Sequence, residues 1–143
     1  RDGRRRRQQR TGLVPRRSRA NLVTKNVILV LEDDQLFSEL ISTVLKDMGK
    51  TAVRVHRLKD AMCLLHSLDF DAAIVDLGLT DGNGFDLVQA MRERGMRNKV
   101  MVITGCEAAQ IGNVLAEIEK DDQTKFFQKP VSLDQFRSAC AQL

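Results

Sequence analysis

The chain is 143 residues long, the size of one ordinary domain, and with 43% hydrophobic residues it can bury a substantial core. It shows no apolar run of membrane-spanning length and no secretory signal, and its three cysteines (Cys63, Cys106, Cys140) lack metal-ligand spacing. These features argue against a membrane span or a disulfide framework and point to reduced thiols in the cytoplasm.

The net charge of +4 misleads, because residues 1–20 hold nine Arg and one Asp while the remaining 123 residues carry −4. Residues 1–25 read as a basic, disordered tail or linker, too poor in apolar residues to build a core. Within it, Leu13-Val14-Pro15-Arg16 resembles the protease-cleavage linker of expression vectors, with Arg17 where Gly is usual. Arg runs can bind phosphates, but no aromatic residue interleaves these, so a solvated tail is favoured over a nucleic-acid or lipid partner. The folded part is expected over residues 26–143.

That part opens with the apolar run Val27–Leu31, a buried strand ended by Glu32-Asp33-Asp34. Asp34 can cap a helix over Gln35–Met48, in which Leu36, Phe37, Leu40, Ile41, Val44, Leu45 and Met48 recur at helical spacing and Gly49 is the stop. Thr51–Val55 alternates as a second strand, and Leu58–Leu68 follows as a short helix. Ala72–Val75 is a third strand, stopped by Asp76 and a loop containing Gly78, Gly82 and Gly84. A helix is expected over Gly84–Arg94 and a fourth strand over Val100–Ile103, ending at Thr104-Gly105. Glu107–Glu119 reads as a helix and Lys125–Gln128 as a fifth strand ending at Lys129-Pro130. The last helix is expected over Ser132–Leu143, with Ser132 and Gln135 spaced as a capping box. Five strands alternating with five helices imply an α/β domain, a doubly wound five-stranded parallel sheet with helices on both faces.

In such a sheet every strand's C-terminal end lies on one edge, where ligands bind. Glu32, Asp33, Asp76, Thr104 and Lys129 all occupy strand ends, so three carboxylates, a hydroxyl and an ammonium are expected to share one pocket. Two like charges at about 4 Å repel by roughly 4 kcal/mol at an effective dielectric near 20, so one lysine cannot hold three carboxylates together. A hard divalent cation can, and Mg2+ suits carboxylate, carbonyl and water ligands. A carboxylate beside Mg2+ can attack a phosphoryl group, with Lys129 and Thr104 binding its oxygens. Taken singly, each of these residues has a blander reading as a cap, a turn or a solvated side chain. Five coincident strand endings favour the site. His56 and His66 are read as surface residues away from this edge.

With these residues at these strand ends, residues 26–143 resemble the receiver domain of two-component response regulators. The resemblance implies the flavodoxin-like strand order 2-1-3-4-5 and a phosphoryl group taken from a histidine kinase or phosphotransfer protein onto Asp76. It implies Asp33 as a direct Mg2+ ligand, Glu32 acting through water, Asp76 and the Gly78 carbonyl facing the metal, and Thr104 and Lys129 holding the phosphoryl group. Thr104 and Phe126 would form the switch, Lys129-Pro130 matches a step that is often cis, and a phosphorylation-dependent dimer is possible in the family. Thr80 stands where proline is common, and Phe126 where tyrosine is common. The domain is expected to act as a signalling phosphoacceptor rather than an enzyme, with no membrane association. Two alternatives are a Mg2+-dependent phosphohydrolase with an aspartyl nucleophile, disfavoured because Gly78 stands where a second acid is needed, and an interaction module that is not phosphorylated.

Overall fold

The computed structural model describes residues 26–143; the basic tail expected over residues 1–25 lies outside the described residues. The main sheet is built from β1 (Val27–Leu31), β2 (Thr51–Val55), β3 (Ala72–Val75), β6 (Lys99–Thr104) and β7 (Thr124–Gln128). All pair in parallel, in the order β2-β1-β3-β6-β7. A small antiparallel hairpin, β4 (Gly78–Leu79) with β5 (Gly82–Asn83), occupies the loop after β3. The helices are α1 (Gln35–Asp47), α2 (Leu58–Leu64), α3 (Phe85–Glu93), α4 (Gly112–Glu119) and α5 (Leu133–Cys140). Among the described residues, no helix is long and apolar enough to cross a membrane.

The apolar runs become central strands because both of their faces are covered. Leu29, Leu31, Ala73, Val75, Val100 and Val102 point to one side, packing with Ala61 of α2, Leu87, Val88 and Met91 of α3, and Ile118 of α4. Ile28, Val30, Ala72, Ile74, Met101 and Ile103 point to the other, packing with Ile41, Val44 and Leu45 of α1 and Phe136 and Cys140 of α5. The two-residue period of the strand thus divides the core into two layers.

The caps form as the sequence suggests. The Asp34 side chain accepts a hydrogen bond from the Phe37 amide, and Ser132 and Gln135 form a reciprocal capping box. Gly49 and Gly95 follow α1 and α3 with φ of +76°.

Three differences from the sequence reading have local causes. In α1 the buried stripe is Ile41, Val44 and Leu45, flanked by Phe37 and Met48, while Leu36 (80% exposed) and Leu40 (47% exposed) lie outside the arc the sheet can cover. Helix α2 stops at Leu64 because the chain tightens there, the His66 amide bonding Cys63 O and the Ser67 amide bonding Leu64 O. The helix expected from Glu107 splits into a 3-10 turn, Ala108–Gln110, and α4, because Ile111 between them turns its side chain into the core with φ −122° and ψ 19°.

Candidate functional site

Backbone register brings the strand ends level. Leu31 pairs with Val75, and the Asp76 amide continues the ladder to Leu31 O at 2.9 Å. Thr104 pairs with Gln128, and the Lys129 amide reaches Thr104 O at 2.8 Å. The side chains just past these last ladder bonds therefore emerge on a single rim.

There the Lys129 Nζ lies 3.1 Å from Glu32 Oε2 and 3.4 Å from Asp76 Oδ2. Glu32 and Asp76 are buried, 1% and 6% exposed, and with half-buried Asp33 they offer oxygens that all lie within 4.8 Å of one another. Glu32 Oε1 accepts the Asp34 amide at 3.1 Å, and Asp76 Oδ1 accepts the Gly78 amide at 3.2 Å. The Lys129-Pro130 bond is cis.

The charges at this rim are not balanced. Burial, and then the neighbouring Asp76 charge, push Glu32 up to about 7, although Lys129 and the Asp34 amide favour its carboxylate. Burial opposes the Lys129 ammonium too, but Asp76 and Glu32 outweigh it and hold Lys129 above the ordinary lysine range. Among the described residues, one cation thus stabilises part of a site with three carboxylates. The remaining charge, and a donor set made only of oxygens, fit a hard divalent ion rather than a soft one.

The other expected residues have surroundings of their own. Thr104 is fully buried and its Oγ1 accepts the Cys106 amide at 3.2 Å. Gly78 is exposed beside Asp76, and a Cβ built on it would stand 3.2 Å from Cys106 Sγ. Phe126 is half-buried on β7 and packs against the core layer under α2, α3 and α4.

Sequence reasoning missed three contributors. His56 is not remote from this edge: it follows β2, and its Nδ1 sits 2.9 Å from the Glu32 backbone oxygen. The position just past β2 was a readable signal, since every strand end lies on this rim. His66, by contrast, is exposed against Arg94. Gly84 is required because a Cβ there would overlap the Asp76 carbonyl and come within 2.8 Å of the Val75 side chain. Phe37 presents its ring to the Lys129 Nζ, 4.3 Å from the ring centroid, and no spacing rule links those two positions.

Known proteins are similar to this chain in sequence and in fold. The response regulator receiver domain family model matches residues 28–141. The transcriptional regulatory protein QseB of Escherichia coli O157:H7 is 34% identical over 83 residues, covering 58% of this chain and 38% of that protein. The photosynthetic apparatus regulatory protein RegA of Rhodobacter capsulatus is 26% identical over 120 residues, covering 84% of this chain and 64% of that protein. The chain thus spans less than two thirds of these relatives. Among solved structures, a CheY-like receiver domain from Methylobacillus flagellatus superposes with a TM-score of 0.67 at 24% identity, covering 82% of this chain and 97% of the other. The signal receiver domain of a LuxO repressor protein from Vibrio parahaemolyticus superposes with a TM-score of 0.70 at 21% identity, covering 82% and 88%.

Proposed function

This chain belongs to the response regulator receiver domain family, and from that premise we propose that Asp76 accepts a phosphoryl group from a histidine kinase or a histidine phosphotransfer protein, with Mg2+ bound beside it. The observation that carries this reading is the single ammonium of Lys129 bridging the two buried carboxylates, Glu32 and Asp76.

In the transfer, an Asp76 carboxylate oxygen forms the new O–P bond as the donor's N–P bond breaks, and the released imidazole takes up a proton. Asp33, Asp76 and the Gly78 carbonyl would hold the ion directly and Glu32 through water. The bound ion supplies charge neutralisation for an anionic nucleophile meeting an anionic phosphate. Lys129 lies within reach of Asp76 and pairs with a phosphoryl oxygen once the acid is phosphorylated. Thr104 donates its hydroxyl to another after releasing the Cys106 amide. Its movement vacates space on β6, and Phe126 on the neighbouring strand turns inward to fill it. The face formed by α4, β7 and α5 then changes shape, which is how the phosphorylated population binds its target or a second copy of the domain. The domain is a slow self-modifying phosphoacceptor in the cytoplasm, not a turnover enzyme, and the receiver unit is residues 26–143.

The apolar rim supports a protein donor. Leu36 lies in the first turn of α1 and Leu133 opens α5, both exposed at the helix ends that start from this edge, with Leu40 one turn further along α1. Exposed apolar side chains beside a polar pocket suit docking of an amphipathic helix that presents the phosphohistidine.

The test is intact mass after incubation with Mg2+ and a small phosphodonor. The expected result is a gain of one phosphoryl group, absent in Asp76→Asn. An equal gain in Asp76→Asn, or none in the parent protein, refutes the reading.

A further inference from the structure

The contact between Lys129 and Phe37 points to a role that the carboxylates cannot fill. Lys129 Nζ makes two charged contacts, to Glu32 at 3.1 Å and to Asp76 at 3.4 Å. Both partners are acids of the candidate metal site. Binding of a divalent ion there draws their charge away from the ammonium, and phosphorylation of Asp76 exchanges its carboxylate for a phosphoryl oxygen as the lysine's partner. The third contact is of another kind: the Nζ stands 4.3 Å from the centroid of the Phe37 ring, over its face. The negative face of an aromatic ring attracts an ammonium without competing for metal or phosphate.

Phe37 is also firmly held. Its ring lies 6.4 Å from that of Phe136 at a tilt of 53°, joining α1 to α5, and it packs on the core layer that holds Ile41 and Met101. Its own amide is fixed by the Asp34 cap. A ring fixed by two helices and a cap keeps its place while the charges around Lys129 are rearranged.

We propose that Phe37 is a positioning residue for the phosphoryl-transfer reaction: its ring face holds the Lys129 ammonium at the rim while Glu32 and Asp76 are engaged by metal and phosphate. This rests on the reading of Asp76 as phosphoacceptor. The contribution of an ammonium over a phenyl ring corresponds to roughly a two- to fivefold change in rate.

The test replaces Phe37 with phenylalanines carrying one, two and three ring fluorines, which keep the side chain's shape while draining the negative charge from the ring face. The expected result is a stepwise fall in the rate of Mg2+-dependent phosphorylation from a small phosphodonor, reaching about two- to fivefold at three fluorines. Phe37→Leu should lose about as much, and Phe37→Tyr should restore the parent rate. In metal-free protein, the Lys129 Hε resonances should lie upfield of those of the other lysines through the ring current, and should rejoin them in Phe37→Leu. Thermal unfolding of each variant separates a loss of fold from a loss of positioning.

A flat fluorine series with phosphorylation intact overturns the Phe37 role and leaves the phosphoacceptor reading standing. Unshifted Lys129 Hε resonances in the parent protein overturn it as well. No phosphorylation of the parent protein overturns both.

Discussion

Replacing Glu32 with Gln should make the metal-free protein more stable at pH 8 and remove most of its pH dependence. Glu32 is raised from 4.5 to about 7 in the folded protein, first by burial and second by the Asp76 charge. Between those two values the folded state holds a proton that the unfolded chain releases, so stability falls as pH rises through the window. The Glu32 contribution is greatest below about 4.5 and reaches its lower plateau above about 7. At about 1.4 kcal/mol for each pH unit, the loss is about 3 kcal/mol. The other shifted groups act elsewhere: Asp81 and Asp121 are lowered and matter in acid, Lys129 and Cys140 are raised and matter in alkali. In Glu32→Gln the carboxylate is gone and Lys129 keeps Asp76 as its charged partner. The gain at pH 8 should be about 1–3 kcal/mol, lower than the full figure because one charge-assisted bond to Lys129 is also lost. The protein has neither Trp nor Tyr, so urea unfolding followed by far-ultraviolet circular dichroism, with chelator present, is the suitable assay. Saturating Mg2+ should stabilise the parent protein at pH 8 more than Glu32→Gln. A parent protein whose stability is flat or rises from pH 5 to 8, or a variant that keeps the parent slope, refutes the reasoning.

Two further substitutions test the scaffold behind the site. Arg92 donates from Nε to Asp121 at 2.7 Å, from Nη1 to Met96 O at 2.8 Å, and from Nη2 to Asn98 O at 2.9 Å and Thr124 Oγ1 at 3.3 Å. With both ion-pair side chains mostly buried, Arg92→Met should destabilise by about 2–4 kcal/mol in urea unfolding and leave phosphorylation of the folded fraction unchanged. Gly84→Ala places a Cβ against the Asp76 carbonyl and the Val75 side chain, so it should cost about 1–3 kcal/mol and slow phosphorylation as well, because the backbone that moves carries Asp76.

Most of this architecture is legible in one dimension. A strand that is covered on both faces must be apolar throughout, and the first polar residue after it marks the sheet edge. Val27–Leu31 before Glu32 and Ala72–Val75 before Asp76 therefore reveal both the strand and the position of the acid. The same logic extends to Thr104 after the apolar run of β6, while Lys129 follows an edge strand of mixed character and is placed on the rim by the parallel pairing of β7 with β6. Legibility ends where side-chain direction decides. The seven apolar residues of the first helix cover too wide an arc for one sheet face, and only packing shows that Leu36 and Leu40 are left outside. The ring of Phe37 reaches Lys129 across the gap between α1 and β7, a contact set by rotamer and not by period. The strand before His56 alternates instead of running apolar, yet its end lies on the same rim, and the His56 ring meets the Glu32 carbonyl. The Arg92 clamp unites a helix end, a loop and β7; Met96 lies one helical turn on, but Asp121 and Thr124 are about thirty residues away and no spacing points to them.

The central claim is that the rim makes Asp76, and no other carboxylate, a phosphorus acceptor. Borohydride reduces an aspartyl phosphate to homoserine and so marks the acceptor permanently for peptide mass spectrometry. After loading with Mg2+ and a small phosphodonor, homoserine is expected at position 76 alone, and nowhere when a chelator is present. Homoserine at Asp33 or another aspartate, or the same yield at position 76 without divalent metal, would contradict the account.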